Sequence, residues 1–162
     1  MSPARPATAL LALALAAWAG AAQAGERVRV IFDGGITGRC LEAAQDAAGR
    51  RACIGAAAEA CMIDSRRGST PPVMTACMGR EAEWWQGRLD AARAALAERA
   101  PGDGRARLEA MSRAFDGWRA ANCRFEAAGF DARTAPAAET SCWLRMTAEE
   151  ALRLEGRLAR RR

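Results

Sequence analysis

Six cysteines, at positions 40, 53, 61, 77, 123 and 142, constrain this 162-residue chain more than any other feature. Their number is even and no two stand as CxxC, so thiolate-metal and thioredoxin-like readings are weak and three disulfides are the expected state in an oxidising compartment. Pairing is not decided by spacing, and every connectivity stays open. The nearest-neighbour one would join Cys40 to Cys53, Cys61 to Cys77 and Cys123 to Cys142. Each bridge would then close a loop of about 14 to 20 residues, worth about 3 kcal/mol.

The first 24 residues agree with an oxidising destination. "MSPARPAT" carries one Arg, "ALLALALAAWAG" is too short to span a bilayer, and "AQA" ending at Ala24 has the small-x-small form of a cleavage site. The expectation is a signal peptide over residues 1–24, cleaved after Ala24, and a periplasmic or secreted product. The first Cys falls at 40, away from the cleavage point, which disfavours a lipid anchor. No later segment is apolar enough to form a transmembrane span.

Residues 25–162 hold 23 Arg against 19 acids, a net charge of +4, with no Lys. So small an excess does not point to nucleic acid, which asks for a concentrated basic face. The terminal "LARRR" reads as a solvated helix end whose cations suit the helix dipole. There is no His anywhere. Ser-His-Asp and Cys-His catalysis are therefore excluded, along with His-containing zinc sites. Without Lys, Schiff-base and phosphate-loop chemistry are excluded too. The chain reads as a non-enzyme that needs no cofactor.

Organisation is helical. "RVRVIF" alternates, but nothing else in the chain reads as a strand to pair with it, so residues 25–36 are expected to form an extended arm before a helical domain over residues 37–162. "GRCLEAAQDAA" and "RACIGAAAEACMI" predict two short helices separated by Gly49. Thr70 as N-cap and Pro71 as first helical residue open a long helix to about Arg99. Its apolar stripe comprises Met74, Met78, Trp85, Leu89, Ala92 and Leu96. "APGDG" ends it, and a fourth helix follows from about Arg105 to Ala128, with Leu108, Met111, Phe115, Trp118, Asn122 and Phe125 on one face. "GFDARTAPAAETSC" reads as a loop. Thr147 and Glu150 then form a capping box that opens a last helix. The fold expected is all-α: a small disulfide-stapled bundle of about five helices with an extended N-terminal arm.

"MTACMGREAEWWQGRLD" carries the chemistry most open to question. Glu81 and Glu83 diverge by about 200 degrees on a helix and cannot act together as acid and base. Glu81 lies on the apolar stripe, where a carboxylate needs a partner. Arg119, one turn before Cys123, is the expected one, so that a Glu81–Arg119 ion pair would link the two long helices. Trp85 follows the core stripe. Trp84 lies on its flank, within i+4 reach of Arg88 for a cation-π contact, either covered by the fourth helix or free to anchor a partner.

"ACIGAAAEAC", "TACMGREAEWWQGRLDAA", "RAFDGWRAANC" and "CWLRMTAEEALRLE", in that order, resemble the LprI-type lysozyme-inhibitor N-terminal domain family of exported bacterial proteins. The resemblance runs from about Cys40 to Glu155. Cys77, Glu81, Trp84, Leu89, Arg113, Ala114, Arg119, Ala121, Cys123, Cys142, Leu144 and Thr147 keep the pattern. Trp85, Asp90, Arg93, Trp118, Ala120 and Glu150 stand where the family usually has Asp, Asn, Tyr, Tyr, Asp and Arg. The resemblance implies a disulfide-linked helical domain with a protein partner, lysozyme for at least some members.

An inhibitor of that kind works by occlusion. The loop from Gly129 to Ser141, tethered between Cys123 and Cys142, is the expected contact surface, with Trp84 as a candidate anchor. Lysozymes are commonly cationic, so Glu139, Glu149 and Glu150 are the candidate acidic contacts. The alternative is a structural or assembly protein of the envelope that binds another protein and no lysozyme.

Overall fold

A computed structural model describes residues 28–160 as an all-α fold of six helices. They are α1 Gly35–Ala43, α2 Ala47–Ala52, α3 Ala56–Asp64, α4 Pro71–Glu98, α5 Gly104–Ala127 and α6 Ala135–Ala159. The expected leader and the start of the arm lie outside the described residues. The described part of the arm, residues 28 to 33, lies outside any helix or strand and ends two residues earlier than expected, because α1 begins at Gly35. Its alternation is used without a partner strand. Val28, Val30 and Phe32 pack on the helical core, while Arg29, Ile31 and Asp33 face water.

The N-terminal third forms three short helices where two were expected. Gly49 is no separator: it lies inside α2, and its N–H donates to the Asp46 carboxylate that caps that helix. The break comes at Gly55, whose φ of +96° suits a residue without Cβ and starts α3 afresh. α4 matches its expected span, with Pro71 in the first turn, although the Thr70 side chain makes no capping bond.

α4 and α6 are the long axis of the molecule, packed side by side. Cys77, Met78, Trp85, Leu89 and Ala92 of α4 meet Leu144, Ala148, Ala151 and Leu154 of α6 in one buried cluster. Alanines on α6 let the backbones approach, and the larger α4 side chains fill the remaining space. α3 lies on α4, α1 lies on α3, and α5 covers α6 and part of α4. Three disulfides staple these contacts in the nearest-neighbour pattern: Cys40–Cys53, Cys61–Cys77 and Cys123–Cys142.

Two expectations for the C-terminal half are corrected. The loop ends early: α6 begins at Ala135, with Pro136 in its first turn, so only a short turn joins it to α5. Thr147 and Glu150 therefore sit in mid-helix and cap nothing. The buried face of α5 is also rotated from the one expected. Arg119, Cys123 and Ala127 are buried at steps of four, whereas Trp118 and Phe125 face solvent.

Candidate functional site

Glu81 and Arg119, the expected pair, are each held by other groups. The Glu81 carboxylate is fully buried and accepts four hydrogen bonds. Thr37 Oγ1 donates at 3.0 Å, the Gly55 N–H at 2.9 Å, Trp85 Nε1 at 3.1 Å and the Ala58 N–H at 2.7 Å. It serves as a cap delivered from α4 to the first turn of α3, where free N–H groups and the helix dipole favour a negative charge. Thr37 extends the network by accepting from the Ala57 N–H. Donors on three sides satisfy the carboxylate without any cation, which is why Arg119 is not needed.

Arg119 instead closes the far side of the bundle. Nη1 donates to Gln86 Oε1 at 2.9 Å and Thr147 Oγ1 at 2.6 Å, and Nη2 donates to Asp116 at 3.2 Å. Its guanidinium lies 4.2 Å from the Trp143 ring centroid. Burial pulls its pKa below the ordinary arginine value, and Asp116 works in the opposite direction. Asp116 also receives both Nη groups of Arg93, so one carboxylate joins two buried-side guanidiniums.

Of the residues expected to meet a partner, Trp84 is half-buried and covered by α1, not by α5. A Cβ built on Gly34 would fall 2.5 Å from the indole, so the glycine makes room for it. Arg88 sits 5.2 Å from the Trp84 ring centroid. Glu150 is buried and engaged by Arg153. Glu139 and Glu149 reach the surface about three turns apart along α6, so the three acids form no cluster.

The exposed features concentrate on α5 and the turn behind it. Phe125 is 80% exposed and Phe130 is 55% exposed, and both lie at the end of the molecule where α5 passes into α6. The turn is stiffened from within. Asp131 Oδ1 accepts from the N–H groups of Arg133 at 2.9 Å and Thr134 at 3.0 Å. Those bonds, that from Thr134 foremost, hold its carboxyl below the usual carboxylate range. Beneath the turn, the Cys123–Cys142 bridge is buried, with the Met146 thioether 3.6 Å from each of its sulfurs. The result is a rigid end presenting two aromatic rings. Sequence periodicity missed it by assigning Phe125 to the core face. The signal available was Cys123 and Ala127 one turn apart, which marks the buried stripe.

Comparison with known proteins places these features in a family. The family model described as "Lysozyme inhibitor LprI" matches residues 61–154, a span from α3 almost to the end of α6. An uncharacterized 17.7 kDa protein in the puhA 5' region of Rhodobacter capsulatus is 33% identical over 142 residues, which covers 75% of this chain and 84% of that protein. No solved structure matches. The matched segment holds Cys61, Cys77, Cys123 and Cys142, the Glu81 cap and the Arg119 network, and with them the chain belongs to the LprI lysozyme-inhibitor family.

Proposed function

We propose that this protein is exported to the periplasm or beyond and inhibits lysozyme by occluding it, without chemistry of its own. The observation that carries the reading is the pair of exposed rings at one end of the molecule, Phe125 on the last turn of α5 and Phe130 on the turn that follows, next to a buried disulfide. Apolar side chains carried on a backbone that is already held cost little backbone entropy on binding, so they suit insertion into a cleft. Family membership supplies the target class. The disulfides suit an oxidising compartment, and no described helix is long and apolar enough to cross a membrane. Catalysis has little to work with. His and Lys are lacking, and of the buried carboxylates among the described residues Glu81 is held by four donors and Glu150 by Arg153.

The test is inhibition of a panel of lysozymes by the oxidised protein, with Phe125→Asp and Phe130→Asp beside it. Inhibition by the wild type, lost in both variants while circular dichroism is unchanged, is the expected result. Inhibition that survives both substitutions would move the contact elsewhere. No inhibition by a folded, fully oxidised protein would favour a structural or assembly role with a different protein partner.

A further inference from the structure

Between the outer faces of α5 and α6 runs a groove of about 490 Å³, separate from the Phe125 and Phe130 end. Its size falls within the range of about 300 to 1,000 Å³ usual for small-molecule sites. One wall is Trp118, 60% exposed. Phe115 meets it edge-on with ring centroids 6.1 Å apart, so the indole is backed by another ring while more than half of it stays open to solvent.

The polar lining comes from both helices: Asn122 and Glu126 follow Trp118 along α5, and Arg145, Glu149 and Arg153 face them from α6. Arg145 Nη2 donates to both oxygens of Glu126 at 3.2 Å. Asn122 Nδ2 donates to the same carboxylate at 2.8 Å. Within α6, Arg153 holds Glu150 with two nitrogens, Nε donating to one carboxylate oxygen and Nη2 to the other. These planar groups are oriented by one another, yet each retains unused capacity: Arg145 and Arg153 keep further N–H donors, and Glu126 keeps lone pairs. Glu149 stands exposed at the rim as a further acceptor.

The mixture selects a ligand class. An anion would want a surplus of donors, and a basic peptide would want acceptors alone. A lining that offers both, with its charges paired apart from Glu149 at the rim, suits a ligand whose groups donate and accept at once. Hydroxyls on a ring do so, and the apolar face of the ring stacks on an indole. From this geometry we infer that the α5–α6 groove is a binding site for a neutral oligosaccharide, with Trp118 as the stacking platform and Glu126, Arg145 and Arg153 as hydroxyl partners. The inference does not depend on lysozyme inhibition, which the Phe125 and Phe130 end is proposed to carry.

The test is titration of the oxidised protein with N-acetylchitotetraose, cellotetraose and maltotetraose, followed by the indole N–H resonances of the tryptophans in the wild type and by calorimetry in the wild type and every variant. The expected result is a saturable shift of the Trp118 signal with at least one of them. Trp118→Ala should weaken that binding by about tenfold or more, Arg145→Met should weaken it too, and Trp118→Phe should retain most of it. Trp118 is exposed, so its variants are expected to fold, and the retained binding of Trp118→Phe separates loss of stacking from loss of structure. No saturable shift with any of the three sugars overturns the inference. So does binding that Trp118→Ala leaves unchanged, or a tri-lysine peptide that shifts the same residues while the sugars do not.

Discussion

At the residue scale, Glu81 shows how a buried carboxylate can be stabilised without a countercharge. Its two oxygens divide the work: Oε1 accepts from Thr37, Gly55 and Trp85, and Oε2 from Ala58. Glu81→Gln can keep the first set but turns an amide N–H against the Ala58 N–H. The substitution is expected to cost about 2 to 3 kcal/mol, the scale of a hydrogen bond to a charged group, read as a lower urea midpoint. Since Arg119 has its own partners, Glu81→Gln and Arg119→Met should be additive within about 0.5 kcal/mol in a double-mutant cycle. A larger coupling would restore the direct ion pair. Asp33 and Asp131 make a second prediction. Asp33 accepts chiefly from the Gly35 N–H and then from Arg39, and Asp131 from Thr134 and Arg133. Both carboxyls lie below their unfolded value of 3.8 in the folded chain. Their contribution is therefore fully present above that value and lost as pH falls through the folded pKa. Amide exchange at Gly35 and Thr134, compared just above and well below 3.8, should show protection failing at the lower pH, and Asp131→Asn should remove that dependence at Thr134.

At the scale of elements, what was legible follows from where strong local signals agreed with the tertiary fold. α4 could be read because Pro71 opens it and Met78, Trp85, Leu89 and Ala92 keep helical spacing to the end. α6 could not. Its first turns are "APAAET", where a proline that reads as a breaker occupies a tolerated position, and Thr147 and Glu150 mimic a start inside the helix. On α5 the large aromatics suggested the wrong face, because a buried stripe of Arg119, Cys123 and Ala127 brings α5 close to α6 with small side chains and a bridge. The Glu81 site was half legible: the stripe position gave its burial, but three of its donors come from α1 and the start of α3, which no local pattern ties to α4. The α5–α6 staple carries the prediction at this scale. Cys123 and Cys142 are separated by 19 positions, and removing such a bridge with the double substitution Cys123→Ser and Cys142→Ser should cost about 3 kcal/mol. The loss should be accompanied by faster amide exchange in the turn from 128 to 134. Stability kept at the wild-type level would mean that the Met146 contact and the α5–α6 packing suffice to hold the turn.

For the whole molecule, charge decides how the proposed inhibition would have to work. Its formal net charge is +5 over the full sequence, all of the positive charge on Arg. Much of its acidity is already committed: Glu155 to Arg50 and Arg88, Asp116 to Arg93 and Arg119, Glu126 to Arg145 and Glu150 to Arg153. The exposed acids outside these pairs, among them Glu42, Glu59, Asp64 and Glu109, are spread over α1, α3 and α5, and a net positive protein repels a cationic enzyme overall. Salt separates the two possible modes, because screening is weak at about 0.01 M and confines exposed charges to about 8 Å at 0.15 M. If Phe125 and Phe130 carry the contact, screening removes the repulsion and leaves the apolar burial intact, so association quickens and the dissociation rate barely changes. Inhibition should then hold steady or strengthen between those two ionic strengths. Inhibition that weakens steeply with salt would place the contact on unpaired acids such as Glu149 and would sink the aromatic reading, whatever the Phe125 and Phe130 variants did to the fold.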